Sequence, residues 1–314
     1  MRIFNKIREL GTRCWALGFV RGGMDAVMKG SSPIGDCKLE IGDLQVDWVK
    51  MPDDRWYADP FVLDVTESEI LLLVEDYPYA TEKGVISLLH INRSSMEIIE
   101  RKVLLELPTH LSFPAIWRKD EHIYVYPESA KSGKLDMYEY DPAKEELTYV
   151  QTICNDAIWD SYITEVFGEP LLFTAEKDDY QLDIYKWNDQ KKRFVPDIVI
   201  PSEIKNSRLG GAVFEYNGEY YYPAQNCEKA YGGAIDIKRL EIGDSIEDRR
   251  LKIEDLKVEC VKHLESPHPK YQLGMHTLNE YKGVVVIDVH GYRHSIVGPV
   301  IASLVRLKKK LRHG

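Results

Sequence analysis

Cysteine pairs, long apolar runs and surplus positive charge are all missing from this 314-residue sequence. The five cysteines, Cys14, Cys37, Cys154, Cys227 and Cys260, are odd in number and form no C-x-x-C pair. That excludes a disulfide framework, gives no zinc pattern and matches a reducing compartment. No stretch approaches the roughly 18 apolar residues of a membrane-spanning helix. The opening MRIFNKIRELGTRCWALGFVRGG does not read as a secretory signal, because Arg8, Glu9 and Arg13 interrupt any apolar core. The expected location is the cytoplasm. A net charge of −10 lacks the cationic footprint that phosphate contacts need, so no nucleic-acid partner is expected. No G-x-S-x-G elbow, P-loop or H-E-x-x-H occurs, and no metal or organic cofactor is expected.

What is present is a chain 44% hydrophobic and 29% charged, with 19 tyrosines. Tyrosine favours strands and also stacks well on sugars. The charges are unevenly placed. Residues 1–30 carry a balance of +4 and the segment from Tyr292 onward +6, which leaves the middle near −20. Both ends are amphipathic as well as basic. Ile3, Phe4, Ile7, Leu10 and Cys14 recur at helical spacing; Ile296, Val297, Val300, Ile301, Leu304, Val305 and Leu307 precede a Lys-rich run. Short helices of this kind suit an anionic membrane surface, and the alternative is two solvated ends packed on the body. The expected organisation is a basic amphipathic segment and lead-in over 1–45, a repeat body over 46–292 and a basic tail over 293–314.

Five segments of the body look alike. They are WYADPFVLDVTESEILLLVED from Trp56, HLSFPAIWRKDEHIYVYPES from His110, WDSYITEVFGEPLLFTAEKD from Trp159, SRLGGAVFEYNGEYYYPAQN from Ser207 and GMHTLNEYKGVVVIDVHG from Gly274. Each has a polar or small start, a short strand, a turn and a second apolar strand. That second strand ends at an acid or amide: Glu75, Glu128, Glu176, Gln225 or Asp288. A recurrence of about 50 residues lies in the range of propeller blades. Strand-turn-strand stretches such as KLDMYEYDPAKEELTYV supply the outer strands. The pattern predicts an all-β, five-bladed β-propeller with helical segments only at the termini; the alternative is a β-sandwich, which the period disfavours.

In a propeller the innermost strands line a central channel, so the starts of the repeats converge at one mouth. Asp59, Ser112, Asp160, Arg208 and His276 are therefore expected together, as a polar small-ligand site. Each has a bland alternative. Acids next to Pro shape turns, Arg208 pairs with a neighbouring Asp, and His276 is a satisfied channel histidine. Trp56 stacks on a sugar or belongs to the core between blades. A metal site of His110, His290 and Asp288 is not supported by their spacing.

Family resemblance rests on these same residues. Ala58-Asp59-Pro60-Phe61 resembles the first-blade motif of glycoside hydrolase family 43, whose Asp is the general base. The ordered series ADPF, His110-Leu111-Ser112-Phe113-Pro114, Tyr126-Pro127-Glu128, Arg208-Leu209-Gly210-Gly211 and Gln225-Asn226-Cys227 with Tyr231-Gly232 spans about residues 50 to 290. It resembles the N-terminal propeller domain family of glucosamine inositolphosphorylceramide transferase. The resemblance implies a carbohydrate-active propeller, and bacterial members resemble parts of surface-polysaccharide biosynthesis systems. It also implies Asp59, Asp160 and Glu128 as catalytic candidates. Trp56, His110, Ser112, Arg208, Gln225, Asn226, His276 and Asp288 are then candidates for sugar contacts. The sequence departs from the hydrolase pattern in offering Ser112 where the second blade should carry an acid, and Asp160 where the third usually carries Glu.

Three activities follow as expectations. The first is a membrane-peripheral glycosyltransferase-type enzyme of surface-glycan synthesis, acting on a nucleotide- or lipid-linked sugar. There Asp59 serves as base, and Arg208 and His276 stabilise the leaving group. The second is a glycosidase with two carboxyls at the spacing hydrolysis requires. The third is a glycan-binding or scaffolding propeller without catalysis.

Overall fold

The computed structural model describes residues 12–29, 44–175, 180–241 and 256–293, together with 297, 300, 301, 303, 304 and 307. Five four-stranded antiparallel sheets account for the described strands. Blade 1 holds β3 (Arg55–Val65), β4 (Glu69–Pro78), β5 (Val85–Asn92) and β6 (Ile98–Leu105), and blade 2 holds β7 (Ser112–Lys119), β8 (His122–Glu128), β9 (Leu135–Asp141) and β10 (Glu146–Cys154). Blade 3 holds β11 (Trp159–Thr164), β12 (Leu171–Ala175), β13 (Gln181–Asn188) and β14 (Arg193–Pro201), and blade 4 holds β15 (Phe214–Tyr216), β16 (Glu219–Asn226), β17 (Ala234–Glu241) and β18 (Lys257–Leu264). The chain is a five-bladed β-propeller, as the repeats predict.

Blade 5 is built from both ends of the chain. Its order is β19 (Leu278–Tyr281), β20 (Val284–Arg293), β1 (Thr12–Val20) and β2 (Val46–Trp48). β1 pairs with β20 over nine residues, from Thr12 opposite Arg293 to Val20 opposite Val285. The boundary expected at residue 46 therefore moves: Thr12–Val20 is a propeller strand rather than lead-in. The reason is its composition, since Cys14 through Val20 are all buried and need a sheet neighbour. A short helix, α1 (Gly23–Lys29), follows β1. The helical spacing of Ile3, Phe4, Ile7 and Leu10 falls outside the described residues, and Cys14 lies in the strand. In the tail, the described residues 297, 300, 301, 303, 304 and 307 are helical, with Val297, Val300, Leu304 and Leu307 exposed. Among the described residues no helix is long and apolar enough to cross a membrane.

Burial follows position in the blade. β12, in the second layer of blade 3, is buried throughout, while the outermost β6, β10, β14 and β18 are mostly half-buried or exposed. Large side chains wedge the blades together. Phe61 and Phe113 meet edge to face at 5.0 Å, and Tyr126 Oη accepts the Ile163 N–H at 2.8 Å. Asn279 ties three blades, donating to the Pro60 carbonyl (2.9 Å) and accepting the Ala212 N–H (2.8 Å). The chain at Gly211 passes so close to Leu278 that a Cβ would collide with the Leu278 carbonyl.

The innermost strands of the first three blades begin with the same irregularity. The register slips between Ala58 and Phe61, between Ser112 and Pro114, and between Trp159 and Tyr162. At each slip one residue lies in the left-handed region: Asp59 (φ 48°), Phe113 (φ 42°) and Asp160 (φ 41°). Non-glycine residues rarely occupy that region, and such bulges re-aim a side chain. The structural counterpart of Asp59 in blade 2 is therefore Phe113, one residue beyond the expected Ser112.

Candidate functional site at the channel mouth

Two clusters face each other across the channel. The first joins blades 5 and 1. Asp288, at the end of the apolar run in β20, has no exposed surface. It accepts from the backbone N–H of Asp59 (3.0 Å), His276 (3.2 Å) and Thr277 (2.9 Å), and from His276 Nδ1 (2.9 Å). His276 Nε2 lies 3.4 Å from Asp59 Oδ1, and Asp59 Oδ2 accepts the Phe113 N–H at 3.1 Å. Although burial opposes a charge on His276, Asp288 and then Asp59 hold its pKa up at about 9. The imidazolium in turn holds Asp288 below the ordinary carboxylate range despite its burial. Burial pushes Asp59 well above that range, helped by Glu75, Asp160 and Asp288 and opposed by His276.

An aromatic stack supports this cluster. Trp15 stacks against both His276 (3.8 Å, 14°) and His290 (4.5 Å, 19°). A protonated ring on an indole face gains a cation–π contribution. His290 is neutral, its pKa brought down to about 4 by burial and by the charge on His276. Gly232 (φ 58°) makes room for the stack, because a Cβ there would meet both His276 and Trp15.

The second cluster joins blades 2, 3 and 4. Asp160 Oδ2 accepts from Arg208 Nε (2.5 Å) and from Gln225 Nε2 (2.6 Å), which also donates to the Leu209 carbonyl (2.8 Å). Arg208 Nη2 lies 3.6 Å from Glu128 Oε2, and its guanidinium sits 5.1 Å from the Trp159 ring and 5.4 Å from Tyr231. Burial drives the Glu128 carboxyl well above its ordinary range, Asp160 adds to this, and the two acids share a hydrogen bond. Glu128 thus has a raised affinity for a proton and lies in contact with an acid that binds a guanidinium. Tyr231, 54% exposed, spans the two clusters, with His276 5.8 Å away on its other side.

Of the predicted residues, Asp59, Asp160, Glu128, Arg208, Gln225, His276 and Asp288 are joined in this way. Ser112 is buried opposite Glu128 in the ladder. His110 stands at the rim. Its Nδ1 accepts the Gly84 N–H (3.0 Å), so Nε2 carries the ring proton, 3.1 Å from Glu75 Oε1. Trp56 stacks on Tyr77 (4.4 Å, 8°), whose ring is 6.1 Å from His110. Asn226 points away from the channel, because successive strand residues face opposite sides and Gln225 takes the channel side. Its amide donates to Asp236 at 3.0 Å. Sequence reasoning missed Trp15 and Tyr231. The apolar run of β1 was the available signal for the first, and the Gly232-Gly233 turn for the second.

Two features set the chemistry. Both cations are already committed, Arg208 to Asp160 and Glu128, and His276 to Asp288 and Asp59. And two buried polar atoms of the second cluster, Glu128 Oε2 and Gln225 Oε1, have no hydrogen-bond partner. Ligand atoms of Asp59, His276 and Asp288 lie within 4.8 Å of one another, close enough for a metal ion. In this arrangement both His276 ring nitrogens already face carboxylates, Nδ1 toward Asp288 and Nε2 toward Asp59. The His110, His290 and Asp288 set is not brought together, since His110 pairs with Glu75.

The family described as glucosamine inositolphosphorylceramide transferase 1, N-terminal, matches residues 47–288. The chain belongs to this family. Glucosamine inositolphosphorylceramide transferase 1 of Oryza sativa subsp. japonica is 24% identical over 200 residues, 60% of this chain and 26% of the rice protein. The transferase of the same name from Arabidopsis thaliana is 26% identical over 212 residues, 63% of this chain and 27% of its own length. The chain thus spans about a quarter of the curated relatives it matches. Among solved structures, a GH43_1 enzyme from Xanthomonas citri has a TM-score of 0.51 at 10% identity, covering 78% of this chain and 89% of that one. At that identity the likeness concerns the fold.

Proposed function

We propose that this chain is an enzyme of glycosyl transfer in surface-glycan or glycolipid synthesis, with the sugar seated in the channel mouth. The observation that carries the reading is the pair of buried acceptors without a hydrogen bond, Glu128 Oε2 and Gln225 Oε1, the first on a carboxyl whose proton affinity burial raises. Buried polar atoms without partners are uncommon in native proteins, and sugar hydroxyls supply the missing donors. Glu128 then acts as general acid toward the departing oxygen, and Asp59, the one of the two that faces the His276 imidazole at 3.4 Å, as base for the acceptor hydroxyl. Membership of a family named for a glucosamine transferase supports the same class of substrate.

Charge decides how the substrate lies. Three acids, Glu75, Asp160 and Asp288, and two whose proton affinity burial raises, Asp59 and Glu128, surround the mouth against Arg208 and His276, whose charges are already paired. A diphosphate does not suit such a floor; a neutral or amino sugar does. The leaving-group role first expected of Arg208 and His276 therefore passes to Glu128, which protonates the departing oxygen, and the rest of a phosphate or lipid carrier extends out of the mouth. We include peripheral attachment to an anionic cytoplasmic membrane face. It is supported by the exposed Val297, Val300, Leu304 and Leu307, followed in sequence by Lys308, Lys309, Lys310 and Arg312. Near such a surface each basic residue contributes about 1 kcal/mol.

Thermal unfolding against nucleotide sugars, glycosyl phosphates and free oligosaccharides tests the reading. A ligand at 100 times its dissociation constant adds about 2.7 kcal/mol. Stabilisation retained in Glu128→Gln, with turnover of the stabilising donor lost, is the expected result. Normal turnover by Glu128→Gln sinks the mechanism. Cosedimentation with phosphatidylglycerol vesicles, lost on removing residues 297–314, tests attachment. Hydrolysis is the second reading, because an acid and a base carboxyl also serve glycoside cleavage. Release of free sugar from aryl glycosides without an acceptor decides for it.

A further inference from the structure

Outside the channel on blade 4 lies a cavity of about 580 Å³, within the size range of small-molecule sites. Its floor is built from buried polar side chains. Asp236 accepts from Asn206 Nδ2 (2.7 Å), Asn226 Nδ2 (3.0 Å) and His263 Nδ1 (2.6 Å). Asn206 Oδ1 in turn accepts from Lys238 Nζ at 2.9 Å. Each primary amide commits one N–H to Asp236, leaving the second for another acceptor. Leu273 and Ile204 add apolar wall, and the exposed thiol of Cys260 stands at the edge.

Charge and position define the occupant. The lining cations are compensated, His263 by Asp236 and Lys229 by Glu265 at 3.7 Å, so no bare cation waits for a phosphate. Amides, a carboxylate–imidazole pair and small apolar walls match the hydroxyls and C–H faces of an uncharged sugar. The cavity also shares a wall with the channel mouth. Ala230 and Gly233 line the cavity, while Tyr231 between them reaches toward Arg208 and His276.

We infer that this cavity is a second saccharide subsite, holding the next sugar units of a glycan whose terminal unit occupies the channel mouth. The inference rests on the reading that the channel seats a sugar, and it assigns the enzyme an oligosaccharide ligand in place of a single residue. Because the two sites are separated by one loop, occupancy of the cavity depends on ligand length.

Cys260 supplies a local readout. Its alkylation by iodoacetamide, followed by mass spectrometry of the peptide, is measured with cello-, xylo- and chito-oligosaccharides of one to four units. Tri- and tetrasaccharides of at least one series are expected to slow the reaction threefold or more, and monosaccharides to leave it unchanged. Leu273→Trp fills the cavity while keeping the backbone N–H that Leu273 donates to His290, and it is expected to abolish protection. Ala230→Leu serves the same purpose from the opposite wall. No slowing at any length, or protection that persists in both variants, overturns the subsite. Protection that survives in Arg208→Ala, where a channel ligand no longer raises the unfolding temperature, separates this site from the channel reading.

Discussion

On the side of blades 5 and 1, Asp288 accepts four hydrogen bonds, His276 donates toward two carboxylates, and Trp15 covers the ring. On the side of blades 2 to 4, a similar set of two acids and one cation leaves Glu128 Oε2 and Gln225 Oε1 unpartnered. In the first cluster the charged groups are spent on one another, with Thr277 Oγ1 left over, and they fix the backbone where Asp59 turns into the channel. The second keeps unmet polar demand, the state of a site that awaits a ligand. Residues of the same types thus divide into a half in which His276 and Asp288 position Asp59 and a half that binds.

Removing His276 is the largest blow to that division. It leaves Asp288 and Asp59 enclosed without their cation, and breaking a buried pair from one side costs about 3–5 kcal/mol. His276→Ala is expected to lose that much stability in urea unfolding, whereas Glu128→Gln is not. Equal losses in the two variants would erase the contrast between the clusters.

The pH dependence sharpens the same comparison at somewhat smaller size. His276 has a folded-state pKa of about 9, above the ordinary value of 6.5, so its contribution is fully present below pH 6.5. It is lost as the pH rises through about 9, and the size is up to about 3 kcal/mol. Asp59, also raised, adds a fall of the same sign that begins on the acid side. Stability of the wild type is therefore expected to decline between about pH 6.5 and 9, and His276→Gln to show a flatter profile. An unchanged slope in His276→Gln would assign the titration to another group.

Much of this was legible in the sequence for a simple reason. A propeller repeats its inner strands, so residues far apart in the chain meet at one mouth, and counting repeats located Asp59, Glu128, Asp160, Arg208, Gln225 and His276. The failures are local shifts of one residue or one strand. A bulge moved the blade 2 position from Ser112 to Phe113, and strand alternation sent Asn226 to the far side from Gln225. The first turns of the N-terminal segment have helical spacing, which concealed that Thr12–Val20 is the strand that closes blade 5 and delivers Trp15. Pairing that depends on a partner nearly 300 residues away leaves no trace in a local window.

Glu128 gives the smallest expected change in stability and the most discriminating one. Its folded pKa is raised, so the group favours the fold below its ordinary range near 4.5 and that contribution fades as the pH climbs through the raised value. A glutamine in its place keeps the shape and a donor toward Asp160 but has no charge to desolvate. Glu128→Gln is therefore expected to unfold within about 1 kcal/mol of the wild type at pH 7, on the stabilised side, while turnover falls by the 10²–10⁴-fold typical of a lost general acid. That combination belongs to a residue retained for chemistry at the expense of stability. A clear loss of stability in Glu128→Gln would instead place Glu128 among the positioning groups, with Asp288.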